Sequence, residues 1–294
     1  MSTTSTGSSS RRRGAPQYLD GVPADADAVR ATLARLGVRP NARWGQSFLT
    51  DPFVADAEAA LVARAPGPRI LEIGGGLGAL TAALLRRGLG PVTVLEKDRR
   101  LADHLRGTFG DRIALAVGDA LVVDLPPAEV VVGNLPYSVA TPILLRLLAG
   151  RVPRVVVLLQ EEVAQRLAAG PDSKEYGRLA IAARLYGSVE LFRPVPASAF
   201  EPRPKVGSRL LVHTARAGDL PVPSVDRFER LVRDLFSARR KQLGNLLPRV
   251  HGLRDRPAAL ARRAGWPDDW AHRRPENLAP EAYFALARAI DATV

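Results

Sequence analysis

The segment Asn134-Leu135-Pro136-Tyr137 brings together a side-chain amide, a backbone carbonyl and an aromatic ring, three groups that suit the exocyclic amine of an extruded nucleobase. An adenine N6 amine is a poor nucleophile because its lone pair is delocalised into the ring. If the Asn134 side-chain oxygen and the Leu135 carbonyl each accept one of its hydrogens, the nitrogen is drawn toward a tetrahedral shape with the lone pair directed outward. Pro136 holds Leu135 in extended geometry and removes a competing donor, so the acceptor is oriented in advance. Tyr137 offers a face on which the base can stack. An electrophilic methyl opposite the lone pair completes an in-line displacement, and the ammonium so formed loses its proton to water without a dedicated base. Taken alone, the same four residues are equally a strand-to-loop turn.

The elements upstream supply a place for the methyl donor. Residues 69–73 read as a short buried strand, Gly74-Gly75-Gly76-Leu77-Gly78 as a turn, and residues 79–87 as a helix. Glycines let a backbone approach a ligand closely, and the helix N-terminus presents unpaired N–H groups. A second strand over residues 91–95 ends in Glu96, whose carboxylate can accept both hydroxyls of a ribose. A third, over residues 113–117, ends in Gly118-Asp119-Ala120, where Asp119 suits an adenine amine. Polar groups at three successive strand ends outline one nucleoside-shaped site at the edge of a parallel sheet. Gly74, Gly76 and Ala79 also fit the dinucleotide-binding fingerprint loosely, with Glu96 near the expected distance. A nicotinamide oxidoreductase is therefore a rival reading, one that leaves residues 134–137 and the charge of the chain unexplained.

From about residue 41 onward the chain resembles the ribosomal RNA adenine dimethyltransferases that modify small-subunit rRNA. Seven ordered motifs carry the likeness: Gly45-Gln46-Ser47-Phe48-Leu49, residues 71–81, residues 134–142 (NLPYSVATP), residues 160–166, Tyr176-Gly177-Arg178-Leu179, residues 200–206, and residues 236–246. The resemblance implies that S-adenosylmethionine is held by Gln46, Ser47, Leu49, Gly74, Gly76, Glu96, Asp119, Ala120 and Asn134. It implies that the target adenine lies between Tyr137 and Phe200. The implied reaction is N6,N6-dimethylation of two adjacent adenines in a hairpin loop near the 3′ end of small-subunit rRNA during ribosome biogenesis, by a cytoplasmic monomer. Alternatives within reach of the same fold are large-subunit rRNA methylation of the antibiotic-resistance type and a non-catalytic RNA-binding factor. Residues 170–176 resemble archaeal members more than bacterial ones. Three positions depart from the family pattern: Ser47 where Asn is usual, Gly75 where Pro is usual, and Gly207 where Asp is usual.

The formal charge is +12, from 42 basic and 30 acidic residues, and four of the basic ones are Lys. Arginine pairs with phosphate in a bidentate manner and stacks on bases, so this excess suits RNA; GC-rich codon usage accounts for the preference over Lys but not for the net sign. With no cysteine, disulfides and thiolate chemistry are excluded, and His104, His213, His251 and His272 show no metal-ligand spacing, so no metal site is expected. No apolar run approaches a membrane span and no signal-peptide core is present. These features predict a soluble protein.

The positioning elements follow from hydrophobic period. Residues 1–13 carry Ser, Thr and Arg with no acid and are expected to be disordered, and the basic tail as a whole covers residues 1–26. Residues 27–216 form the methyltransferase domain, with helices over 27–36 and 54–64 and strands near 70, 92, 113, 130, 155, 189 and 209. The last two strands flank the proline-rich loop 194–204, which is expected to hold Phe200 exposed beside the strand ends. The resulting class is α/β, a Rossmann-like class I sheet followed by a small all-helical domain over residues 217–294. There Phe228, Leu231, Val232, Leu235 and Phe236 mark one apolar stripe, and Arg239-Arg240-Lys241 on the same helix, with Arg262-Arg263 and Arg273-Arg274, outline an RNA-facing surface.

Overall fold

The computed structural model describes residues 21–41, 46–65, 69–250 and 257–292. In chain order the elements are α1 (Ala26–Arg35), β1 (Phe48–Leu49), α2 (Pro52–Val62), β2 (Ile70–Ile73), α3 (Ala79–Arg86), β3 (Val92–Glu96), α4 (Arg99–Phe109), β4 (Ala114–Val117), β5 (Val130–Asn134), α5 (Tyr137–Ala149), β6 (Arg154–Gln160), α6 (Glu161–Ala168), α7 (Arg178–Tyr186), β7 (Gly187–Val195), β8 (Phe200–Glu201), β9 (Ser208–Ala215), α8 (Val225–Phe236), α9 (Leu243–Leu246), α10 (Pro257–Arg263) and α11 (Pro280–Asp291). The expected strands are all present, each within a few residues of its sequence position. Helix starts follow local chemistry. Asp25, Asp51 and Ser224 each accept a backbone N–H from the first turn of α1, α2 and α8, and Pro52 opens α2 where its missing N–H costs nothing.

Seven strands form one sheet in the order β4-β3-β2-β5-β6-β9-β7. The first five strands are parallel, whereas β9 runs antiparallel to both β6 and β7. Strands β5 and β6 are buried on both faces, which is why their sequences are continuous apolar runs rather than alternating ones. Strand order reverses between β2 and β5, so the loops after these two strands open onto a shared crevice at the carboxyl edge of the sheet. Residues 74–78 and 134–137 lie there. The antiparallel pair flanks the proline-rich loop as expected, with β7 as the edge strand. A register shift between Leu191 and Pro194 accommodates the proline.

Two expectations are corrected. The proline-rich loop contributes β8, which pairs with β1 through Leu49 and Phe200, and this pairing turns Phe200 into the core at 3% exposure instead of presenting it. The helix that carries the apolar stripe ends at Phe236, so Arg239, Arg240 and Lys241 occupy the turn after α8 and not the helix. Phe228, Leu231, Val232 and Leu235 pack in one continuous apolar cluster with β2, β5, β6 and α11. The Tyr176 hydroxyl, buried beside Phe236, donates to the Leu278 carbonyl at 2.8 Å. The expectation for residues 1–13 lies outside the described residues, as do Gly45 and His251. Among the described residues no helix is long and apolar enough to cross a membrane.

Candidate active site

Two close approaches shape the crevice. A side chain at Gly133 would stand 2.5 Å from the Ile73 carbonyl oxygen, so glycine there lets β5 pass tightly beside the end of β2 and brings Asn134 against the glycine loop. At Gly75 a Cβ would fall 2.5 Å from Val94 and 2.8 Å from Leu105. The departure from the usual proline at this position thus has a local cause: in this chain the space is filled by Val94 and Leu105.

Three cavities open along the crevice and share walls. A cavity of about 300 Å³ lies between Leu95, Val139 and Ile143 on its apolar side and Glu96, Asp98 and Asp119 on its acidic rim. A second, about 490 Å³, is lined by Tyr137, Gln160 and the segment 202–205. Between them is a narrow one of about 90 Å³, which shares Gly74, Glu96 and Pro136 with the first, and Ser47 and Tyr137 with the second. Gln46 borders all three, and its side-chain oxygen accepts the Asn41 N–H at 3.1 Å.

Asn134 lines the narrow cavity. Its Nδ2 donates to the Ser47 carbonyl at 3.4 Å, and among the described residues no donor meets Oδ1. Leu135 is fully buried and Pro136 precedes α5, so the backbone carbonyl between them is fixed by its surroundings. The Tyr137 hydroxyl is 2.7 Å from Ser208 Oγ, and burial pushes its pKa up. Phe200 borders neither the narrow nor the 490 Å³ cavity; Tyr137 lines both, and Phe48 lines the narrow one.

The acidic rim suits an adenosine. Glu96 is 6% exposed; burial raises its pKa, while backbone N–H groups of Asp98, Gly76 and Lys97 oppose that shift. Oε2 accepts from Gly76 at 3.0 Å and Oε1 from Asp98 at 2.9 Å, and the carboxylate lines the cavity, where it can accept from a ribose hydroxyl. Asp119 is held below the usual carboxylate range chiefly by Lys97, whose ammonium lies 2.7 Å away, and it also accepts the Leu121 N–H. Ala120 closes the cavity floor. The cavity volume, its apolar walls and a buried two-acceptor carboxylate fit the adenosine half of S-adenosylmethionine. Leu49 is buried in β1 and shapes the narrow cavity.

Several participants were not read from the sequence. Lys97 and Ser208 are single polar residues whose partners, Asp119 and Tyr137, lie 22 and 71 positions away in the sequence. Beneath the glycine loop lie Glu58 and Glu72, both buried. Glu72 accepts the Thr81 hydroxyl at 2.6 Å. The Gly133 backbone favours the ionised form of Glu58, yet among the described residues no donor reaches either Glu58 oxygen with hydrogen-bond geometry. A Glu at position 58 within the apolar run of α2 is the signal that was available. In the C-terminal region Arg239 is not free for RNA: it pairs with Glu276 at 2.7 Å and reaches the Lys174 carbonyl. Among the described residues no group of three or more His, Asp or Glu gathers as a metal site.

Comparison with known proteins identifies the family and the fold. A family model described as ribosomal RNA adenine dimethylase matches residues 37–263. A probable ribosomal RNA small subunit methyltransferase A of Natronomonas pharaonis is 42% identical over 272 residues, covering 90% of this chain and 96% of that protein. The ribosomal RNA small subunit methyltransferase A of Anaeromyxobacter sp. strain K is 40% identical over 278 residues, covering 89% and 97%. Archaeal and bacterial relatives are thus equally similar, and the archaeal likeness of residues 170–176 assigns no branch. The crystal structure of a dimethyladenosine transferase from Plasmodium falciparum shares the fold, with TM-score 0.72 at 24% identity over 83% of this chain and 98% of that one. The oxidoreductase reading is set aside by these matches. The chain belongs to the ribosomal RNA adenine dimethylase family and is an S-adenosylmethionine-dependent rRNA adenine dimethyltransferase with the class I fold.

Proposed function

We propose that this protein methylates N6 of two adjacent adenines in a hairpin loop near the 3′ end of small-subunit rRNA, giving N6,N6-dimethyladenosine, and that it acts in the cytoplasm as a monomer. The observation that carries the site assignment is the position of Asn134, at a constriction between a nucleoside-sized acidic cavity and a larger one walled by Tyr137. Bound on the acidic side through Glu96, Asp119 and the glycine loop, S-adenosylmethionine supplies an electrophilic methyl group. On the other side Asn134 Oδ1 and the Leu135 carbonyl accept the two N6 hydrogens, and Tyr137 stacks on the base. Transfer of that methyl group to N6 would leave the thioether product of the donor on the acidic side, and the surplus proton of the amine would pass to water. After one transfer N6 keeps a single hydrogen, so the second transfer uses one of the two acceptors. The division into a catalytic part, residues 27–216, and an RNA-facing helical part, residues 217–294, belongs to the same reading.

The test is labelled methyl transfer to small subunits that lack the modification, with large subunits as the second arm. Asn134→Ala is expected to lower transfer by at least ~10²-fold, with affinity for the particle changed by less than about threefold. Undiminished methylation by this variant refutes the amine contact, and transfer confined to large subunits refutes the substrate.

A further inference from the structure

The 490 Å³ cavity on the Tyr137 side is bordered by two charged residues, Arg203 and Lys205, and both are cations. Both are exposed, and among the described residues neither meets an acid. Many other arginines of the chain are engaged: Arg69, Arg86, Arg87, Arg100, Arg209 and Arg239 each hold a carboxylate within 3.2 Å. The acid nearest in sequence, Glu201, is itself taken by Arg30 at 2.9 Å and turns to the opposite side of the segment. The backbone that carries the two cations is stiff. Pro202 and Pro204 alternate with them, and β8 is anchored on β1 immediately before.

An adenine seated on Tyr137 with its amine at Asn134 brings its ribose and phosphates toward the mouth of the same cavity. A phosphodiester there is the ligand that two unneutralised cations on a pre-ordered segment fit, Arg by its bidentate fork and Lys as a point charge. We propose that Arg203 and Lys205 form a phosphodiester subsite that grips the backbone of the target nucleotide and holds the extruded adenosine in place. This rests on the base-cavity reading above. The subsite makes a polynucleotide the preferred acceptor and acts on positioning, apart from the docking of the whole particle by residues elsewhere.

The experiment uses the full chain, S-adenosylmethionine and unmodified small subunits, with three readouts: the single-turnover methylation rate at saturating particle, the Kd for the particle, and calorimetric affinity for S-adenosylmethionine. The variant Arg203→Ala/Lys205→Ala is expected to slow the saturated rate at least ~10-fold, a cost in the range of a misplaced reactant, and to leave cofactor affinity within about twofold. The charge-preserving swap Arg203→Lys/Lys205→Arg recovers most of the rate. A saturated rate equal to wild type overturns the subsite, and it does so whether or not the particle Kd rises, since a rise in Kd alone marks general docking. Should the double alanine variant lose the cofactor, single Arg203→Gln and Lys205→Gln variants take its place with the same criterion. Asn134→Ala run in parallel separates the two claims. If it is inactive while the double variant is unaffected, only the subsite fails; if it is fully active, the base-cavity reading fails.

Discussion

Glu96 shows how a buried acid is kept useful. Burial raises its pKa, yet the backbone N–H groups of Asp98, Gly76 and Lys97 favour the charge on a carboxylate that lines the 300 Å³ cavity. Replacing it by Ala removes the carboxylate proposed to hold the ribose and strands the Gly76 N–H. Hydrogen bonds to a charged group are worth about 1.5–3 kcal/mol each, so Glu96→Ala is expected to weaken S-adenosylmethionine binding by at least ~10-fold in calorimetry; unchanged affinity rejects the ribose role. Tyr137 is oriented through a different bond, its hydroxyl to Ser208 Oγ at 2.7 Å. Ser208→Ala frees the ring, and a loss of about 1 kcal/mol predicts roughly a fivefold fall in kcat/KM for rRNA with cofactor affinity retained. Equal kcat/KM in steady-state kinetics would show that packing alone holds the ring. Asn134, Tyr137, Glu96 and Asp119 were legible because each sits at a strand end next to a turn signal. Ser208 and Lys97 were not, because a polar residue in a strand or loop announces nothing until the fold supplies its partner, 71 residues away in the case of Ser208.

At the scale of elements, α2 crosses behind the sheet and sets Glu58 near Glu72 of β2, under the glycine loop. Burial is the main reason both pKa values rise, Glu72 to about 8, and repulsion between the two raises Glu58 further. A carboxyl with a raised folded pKa binds its proton more tightly folded than unfolded. Its destabilising effect therefore grows as pH rises from the unfolded value, about 4.3, and levels off above the folded value. The melting temperature of the wild type is accordingly expected to fall between about pH 5.5 and pH 8. Glu58→Gln removes one of the two buried ionisations, so its melting temperature should decline less over that window; parallel slopes sink the assignment. The βα alternation was legible from hydrophobic period alone, including both doubly buried strands. The β1–β8 pair was not, since two-residue strands about 150 positions apart leave no periodic trace, and Phe200 was misplaced with it. The end of α8 was also hidden. Ala238-Arg239-Arg240-Lys241 are good helix formers, yet the chain turns at Ser237, and Arg239 is drawn to Glu276 and the Lys174 carbonyl.

Over the whole molecule the excess of 42 basic over 30 acidic residues divides into two kinds of charge. Some arginines work inward: Arg239 ties the turn after α8 to Glu276 and to the loop before α7, and Arg273 pairs with Asp269. Others face outward: Arg240, Lys241, Arg262 and Arg263 are exposed around the turn after α8 and the end of α10. Sequence alone gave all of them one role, but a bridge to Glu276 and a contact with phosphate respond to different measurements. Arg239→Ala breaks a half-buried pair and is expected to cost about 1 kcal/mol or less after screening, lowering the melting temperature by roughly 2–4 °C. Arg240→Ala/Lys241→Ala should leave the melting temperature within about 1 °C and act on RNA instead. Each phosphate contact releases counterions, so the slope of log K for the particle against log salt should become shallower by roughly 1 per residue removed. If the double variant keeps the wild-type salt slope while Arg239→Ala reduces it, the inward and outward assignments are reversed and the RNA-facing surface lies on the side of Glu276.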